Sequence, residues 1–181
     1  MTILLNEQQI RFLRSMDDAG VQYLVIGGWA LRAHGVDRRT HDLDVWVSRS
    51  GDNPERILTV LRGMCGPGAD RFLGPLHEPL KRLAMPDSAN PEIDILTSIG
   101  DLDFDAVYAA SHMATVGTML IRVPNAADLL RTKLVAIASI QERINSGEWD
   151  GNDLVQAELQ KAKDQVDIDL MQHKLHDSTP R

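Results

Sequence analysis

The segment Asp42-Leu43-Asp44-Val45-Trp46-Val47 limits what this chain can become more than any other stretch. Side chains alternate across a strand, so Asp42 and Asp44 leave one face with Cα atoms roughly 6.6 Å apart, and the apolar residues between and after them serve a core. Two carboxylates in one cleft repel each other, which a protein tolerates when a divalent ion such as Mg²⁺ neutralises them and also holds substrate phosphates. A solvent-facing strand would carry the same pair with no ligand, so the pair alone leaves both readings open.

The flanking pattern supplies context. Asn6 to Ala19 reads as a helix, with Asn6 and Gln9 as a capping pair and Gly20 as its stop. Val21 to Ile26 reads as a buried strand that runs into Gly27-Gly28, and Trp29 to Ala33 begins a short helix. Glycines there let a backbone approach a triphosphate closely, although a tight strand-helix turn needs no ligand. Asn53-Pro54 caps a helix to about Arg62, Cys65 to Glu78 reads as loop, and Pro79 to Met85 as an edge strand. Glu92 to Thr97 is a strand in which Ile93 and Ile95 face one way and Asp94 the other. A carboxylate on a core strand is costly unless paired or coordinated, so Asp94 belongs where a neighbouring strand presents Asp42 and Asp44, with Glu92 a weaker candidate on the same face.

A helix over about Asp103 to Ser111 and a strand over Met119 to Val123 complete this half. Past Pro124, Asn125 with Asp128 signals a helix cap, and Leu129, Leu130, Leu134, Ile137 and Ala138 form an apolar stripe to about Arg143. Asn145 to Asn152 breaks the pattern, the chain is again helical to about Leu175, and Asp177 to Arg181 is a frayed tail. The expected architecture is α/β: a small mixed sheet flanked by helices over residues 1–123, followed by a helical part over 124–181 packed on it.

The formal net charge of -7 argues against a broadly basic nucleic-acid grip. Cys65 is the only cysteine, which excludes an internal disulfide and a cysteine-based zinc site and points to a reducing, cytoplasmic setting. Met1 to Leu5 is too short an apolar run for a signal peptide or membrane span. His34 and His41 lack companions for a metal site, and Trp29 is expected in the core.

Taken together, Ile26-Gly27-Gly28, thirteen intervening residues, Asp42-Leu43-Asp44-Val45 and then Ile93-Asp94-Ile95 resemble the signature of the DNA polymerase β nucleotidyltransferase superfamily. More narrowly, Gly27-Gly28-Trp29-Ala30, His34-Gly35, Arg39-Thr40 and Asp42-Leu43-Asp44 resemble abortive-infection toxin nucleotidyltransferases of the AbiEii type and their uncharacterised relatives. The Gly-Gly-Trp opening is also similar to aminoglycoside and lincosamide nucleotidyltransferases. Asp128, Leu129, Lys133 and Leu134, then Lys163-Asp164 with Asp167, look like the toxin group's helical motifs.

The resemblance implies a nucleotidyltransferase fold and transfer of a nucleoside monophosphate from a nucleoside triphosphate to an acceptor hydroxyl, with two Mg²⁺ or Mn²⁺ ions. It implies that Asp42 and Asp44 bind the metal shared with the triphosphate, and that Asp94 binds the second and takes the acceptor's proton. Gly27 and Gly28 would cradle phosphates, and Lys133 would neutralise one unless it is simply a solvated helix lysine. Arg39 and Thr40 would meet phosphate oxygens or hold their loop, and Lys163, Asp164 and Asp167 would join the site or pair along their helix. The acceptor is left open among a transfer RNA end, a protein hydroxyl and a small molecule such as an antibiotic. The toxin branch implies an antitoxin partner, and a non-catalytic binding module of the same fold is the reading from another class.

Overall fold

The computed structural model describes residues 4–85 and 93–177. In chain order it contains α1 (Glu7–Asp18), β1 (Tyr23–Val25), α2 (Gly27–Ala33), β2 (Leu43–Val47), α3 (Asn53–Cys65), a 3-10 turn (Gly66–Phe72) and α4 (Leu73–His77). It continues through β3 (Arg82–Ala84), β4 (Ile93–Leu96), α5 (Phe104–Ala109), β5 (His112–Val116), β6 (Met119–Val123), α6 (Ala126–Asn145) and α7 (Gly151–Asp177). Glu92 and the end of the tail lie outside the described residues. Among the described residues no helix is long and apolar enough to cross a membrane.

Four strands form a mixed sheet in the order β1-β2-β4-β3, with β2 and β4 parallel and the two outer pairs antiparallel. Alternation along the strands divides the burial between two faces. Tyr23, Val25, Leu43, Val45, Val47, Ile93 and Ile95 join Phe12, Leu13 and Met16 of α1 and Ile57 and Leu61 of α3 in the main core. Each fully buried large side chain of this set contributes about 2 kcal/mol of apolar burial. The opposite face carries a smaller cluster in which Leu24, Ile26 and Trp46 meet Ile99, Leu102 and Val107, with Leu96, Phe104 and Val135 packed against it. Asp44 and Asp94 stand on this second face, where the parallel strands begin.

Local chemistry explains the element ends. Asn6 Oδ1 accepts from the Gln9 amide at 2.9 Å while Gln9 Oε1 accepts from the Asn6 amide at 3.1 Å, so α1 starts in a reciprocal cap. The Gln9 side-chain amide also donates to the His41 carbonyl at 2.6 Å, fixing the chain just before Asp42. Asn125 accepts from the Asp128 amide at 2.9 Å to open α6.

Several expectations are corrected. Asn53 does not cap α3. Its buried amide accepts from Gln22 N–H at 2.7 Å and donates to the Gln22 and Ser48 carbonyls, tying the approach to β1 to the exit of β2. Helix α3 continues through Gly63 to Cys65, and the glycine- and proline-rich stretch after it is helical because Ala69 and Leu76 are anchored in the main core. Strand β5 was not expected. It pairs antiparallel with β6 through a turn at Gly117 (φ +61°).

The carboxy-terminal helices continue the core. Leu129 of α6 and Met171 of α7 are fully buried in the same cluster as Phe12 and Val45. The face that α6 turns inward differs from the expected stripe, since Leu134 is 53% exposed and Thr132 is buried. That rotation carries Lys133, partly buried, toward α7.

Candidate active site

Asp44 and Asp94 are register partners on β2 and β4, so their carboxylates leave the sheet side by side. Asp94 is 6% exposed, and Asp42, two residues before Asp44, is exposed and lines one cavity with Asp44. Burial first, and then the neighbouring Asp94 charge, push the Asp44 carboxyl up to about 6, against the opposing influence of Lys133 and Arg82. A divalent cation would reverse that preference, because it stabilises the ionised carboxylate far more than a proton-depleted pair can tolerate on its own.

Gly27 is the structural partner of Asp44. Its φ of +62° is a left-handed conformation, and a Cβ on it would lie 2.2 Å from Asp44 Oδ2. The backbone continues this contact, with the Ile26 amide donating to the Asp44 carbonyl at 3.0 Å. Gly28 answers a different need, since a Cβ there would fall 2.5 Å from Thr40 Cβ. Thr40 therefore packs on the glycine turn, its hydroxyl donating to the Asp42 carbonyl at 3.3 Å, and it does not line the cavity. Arg39 is exposed and likewise outside the lining, its carbonyl serving as an acceptor for Arg38.

A cavity of about 360 Å³, within the range of small-molecule sites, opens beside Asp42 and Asp44, whereas Asp94, bonded by Arg82, is outside its lining. Gly27, Asp42, Asp44, Arg82, Lys133 and Asp164 make its polar wall, and Ile26, Leu96, Ile99, Ala136 and Ile140 its apolar one. Ser139 and Gln160 add neutral polar groups. The sequence pattern did not single out Arg82, whose guanidinium donates to Asp94 Oδ2 while 70% of its side chain stays exposed. Only the pairing of β3 with β4 could reveal that contact, because it joins residues on different strands.

Lys133 reaches the cavity but is already engaged. Its ammonium lies 2.7 Å from Asp164 Oδ1 and 2.9 Å from Asp167 Oδ2, both acids being buried. Burial works to lower the Lys133 pKa, yet the two carboxylates outweigh it and hold the ammonium above its ordinary range. Asp167 also accepts from Arg38, and Asp164 from Gln160 at 3.3 Å. Asp164 and Asp167 thus join α7 to α6 and to the segment before β2, whereas Lys163 is exposed and outside the cavity lining. His34 donates through Nε2–H to the Pro124 carbonyl at 2.9 Å, and Trp29 is buried in the core.

Among the described residues no three His, Cys, Asp or Glu side chains close into a ready metal cage. The donors come as a carboxylate pair with a third acid at the rim, so Mg²⁺ would complete its six oxygens from a triphosphate and water, its usual habit. The chemistry of this donor set and the Gly27 gap against Asp44 fit such an ion. Gly27→Ala tests that fit: the added methyl displaces the Asp44 carboxylate, and Mn²⁺ binding followed by electron paramagnetic resonance is expected to weaken at least about tenfold. Retention of full Mn²⁺ affinity would show that the gap serves packing alone.

No protein-family model matches the sequence, and comparison with curated proteins yields no match.

Proposed function

We propose that the chain is a metal-dependent nucleotidyltransferase, built on the nucleotidyltransferase fold, that moves a nucleoside monophosphate from a nucleoside triphosphate to an acceptor hydroxyl. The supporting observation is the side-by-side placement of Asp44 and Asp94 on parallel strands, with Asp44 against a left-handed glycine and lining a cavity of nucleotide-compatible size. Divalent cations bound here would neutralise the triphosphate and make the acceptor hydroxyl more acidic.

The chain's own residues then divide the work. Asp42 and Asp44 would hold a cation that neutralises the triphosphate, and Gly27 leaves room for the Asp44 carboxylate. Asp94 takes the proton as the acceptor oxygen bonds to the α-phosphorus, the bond to the β-phosphate oxygen breaks and pyrophosphate leaves. The apolar wall of Leu96, Ile99 and Ile140 excludes water from that centre, favouring the acceptor over hydrolysis. The toxin branch, with an antitoxin beside it, is the setting that the Gly-Gly-Trp-Ala and helical residue patterns favour.

Incubation with Mg²⁺, α-³²P-labelled nucleoside triphosphates and cell extract is expected to label an acceptor, and Asp94→Asn to lower the rate at least about 100-fold. Equal labelling by wild type and variant would refute the assignment. Metal-independent nucleotide binding without transfer would identify a binding module instead.

A further inference from the structure

Two cations line the cavity among the described residues, and they are held very differently. Lys133 is clamped between two buried carboxylates with only 13% of its side chain exposed. Arg82 stands on edge strand β3 opposite Leu96, two residues from the position opposite Asp94, so its side chain runs diagonally across the sheet face to reach that carboxylate. Among the described residues Asp94 is its one ion-pair partner, and most of the side chain is in solvent.

Asp94, beside Asp44 in the strand pairing, is a carboxylate that a divalent cation would need. A guanidinium and a metal ion cannot both take the same carboxylate oxygen. Resting on the nucleotidyltransferase reading, we infer that Arg82 is an exchangeable counter-cation: it occupies Asp94 in the metal-free protein, yields that oxygen to the divalent ion, and turns its fork to the triphosphate. The direction follows from charge. Once a divalent ion sits on Asp94, the guanidinium loses its attraction there, and the nearest dense negative charge becomes the phosphate oxygens, which its planar donors match in pairs. The long exposed stem permits the movement without disturbing the core. Arg82 would thus protect the acid pair from mutual repulsion before loading and bind substrate after it, a role Lys133 is too tightly held to perform.

The exchange makes opposite changes in two affinities, which a purely structural residue would not. Arg82→Gln is expected to bind Mn²⁺ about tenfold more tightly than wild type without nucleotide, by electron paramagnetic resonance, because no internal cation competes. The same variant, at saturating Mn²⁺, is expected to bind α,β-methylene ATP about tenfold more weakly, and Arg82→Lys should recover part of that loss because it keeps the charge. In wild-type protein, Mg²⁺ should shift the Arg82 Nε–H resonance, assigned by its disappearance in Arg82→Gln. Equal Mn²⁺ affinity in wild type and Arg82→Gln, or an Arg82 resonance unmoved by Mg²⁺, would overturn the inference while metal-dependent nucleotide binding left the broader reading standing. Absence of Mn²⁺ binding in both proteins would bring down both.

Discussion

Asp44→Asn is expected to abolish nucleotidyl transfer and, in the same sample, to make the metal-free protein harder to unfold at pH 7. The first effect follows, on the proposed reading, from losing a cation-holding carboxylate among the residues that line the cavity. The second follows from linkage. An aspartate carboxyl ordinarily titrates near 3.8, and in the folded protein Asp44 is pushed up to about 6 by burial and by Asp94. Between those values the folded state binds the proton more tightly than the unfolded chain, so stability falls as pH rises through this window and the whole penalty is present above it. Removing the charge should recover up to about 3 kcal/mol at pH 7 and little at pH 3, measured by urea unfolding at both pH values. Mg²⁺ should stabilise wild type and leave Asp44→Asn unaffected. A variant less stable than wild type at pH 7 would mean that the carboxylate is held by favourable contacts and is no reservoir for a cation.

Lys133→Ala is expected to have the opposite sign. Its ammonium is the shared partner of Asp164 and Asp167, which are 3% and 2% exposed. Truncation leaves Asp164 with only the Gln160 amide and Asp167 with Arg38, so two buried carboxylates face each other with half their compensation gone. Breaking a buried ionic group from one side costs about 3–5 kcal/mol, and the loss should appear as a lower urea midpoint and faster amide exchange along α7. Combining Lys133→Met with Asp164→Asn and Asp167→Asn should restore most of it, because neutral partners of similar shape carry no such penalty. Little change in midpoint for Lys133→Ala would show that water replaces the ammonium freely and that the helices are joined by apolar contacts alone.

Much of the site was legible in the chain because alternation is a local property. Asp-Leu-Asp-Val-Trp-Val and Ile-Asp-Ile fix which side chains share a face whatever the rest of the protein does, and β2 and β4 follow them. The caps at Asn6 and Asn125 were equally readable, since each bond spans three residues. What the sequence hid depends on distant partners. Arg82 looks like any edge-strand arginine until β3 is laid beside β4. Asn53 has the look of a helix cap, yet Gln22 and Ser48 claim its amide. Lys133 and Thr132 turn inward in place of Leu134 because the acids of α7 draw the helix round. The stretch after Cys65 reads as loop from its glycines and prolines, and only the burial of Ala69 and Leu76 winds it up. Strand β5 escaped notice because most of His112–Val116 is exposed, leaving no apolar alternation to detect.

The division of β2 between a greasy side and an acidic side also bears on how the chain finds its fold. Slipping this strand by a single residue against β4 would swing Asp44 into the company of Phe12 and Ile57 and turn Val45 toward the cavity. An unpaired carboxylate there would cost several kcal/mol, more than most apolar mispairings would. The acids proposed to seat a cation therefore also act as proofreaders of strand alignment, and a variant that neutralises them gives up a safeguard against misfolding even as its finished form grows sturdier.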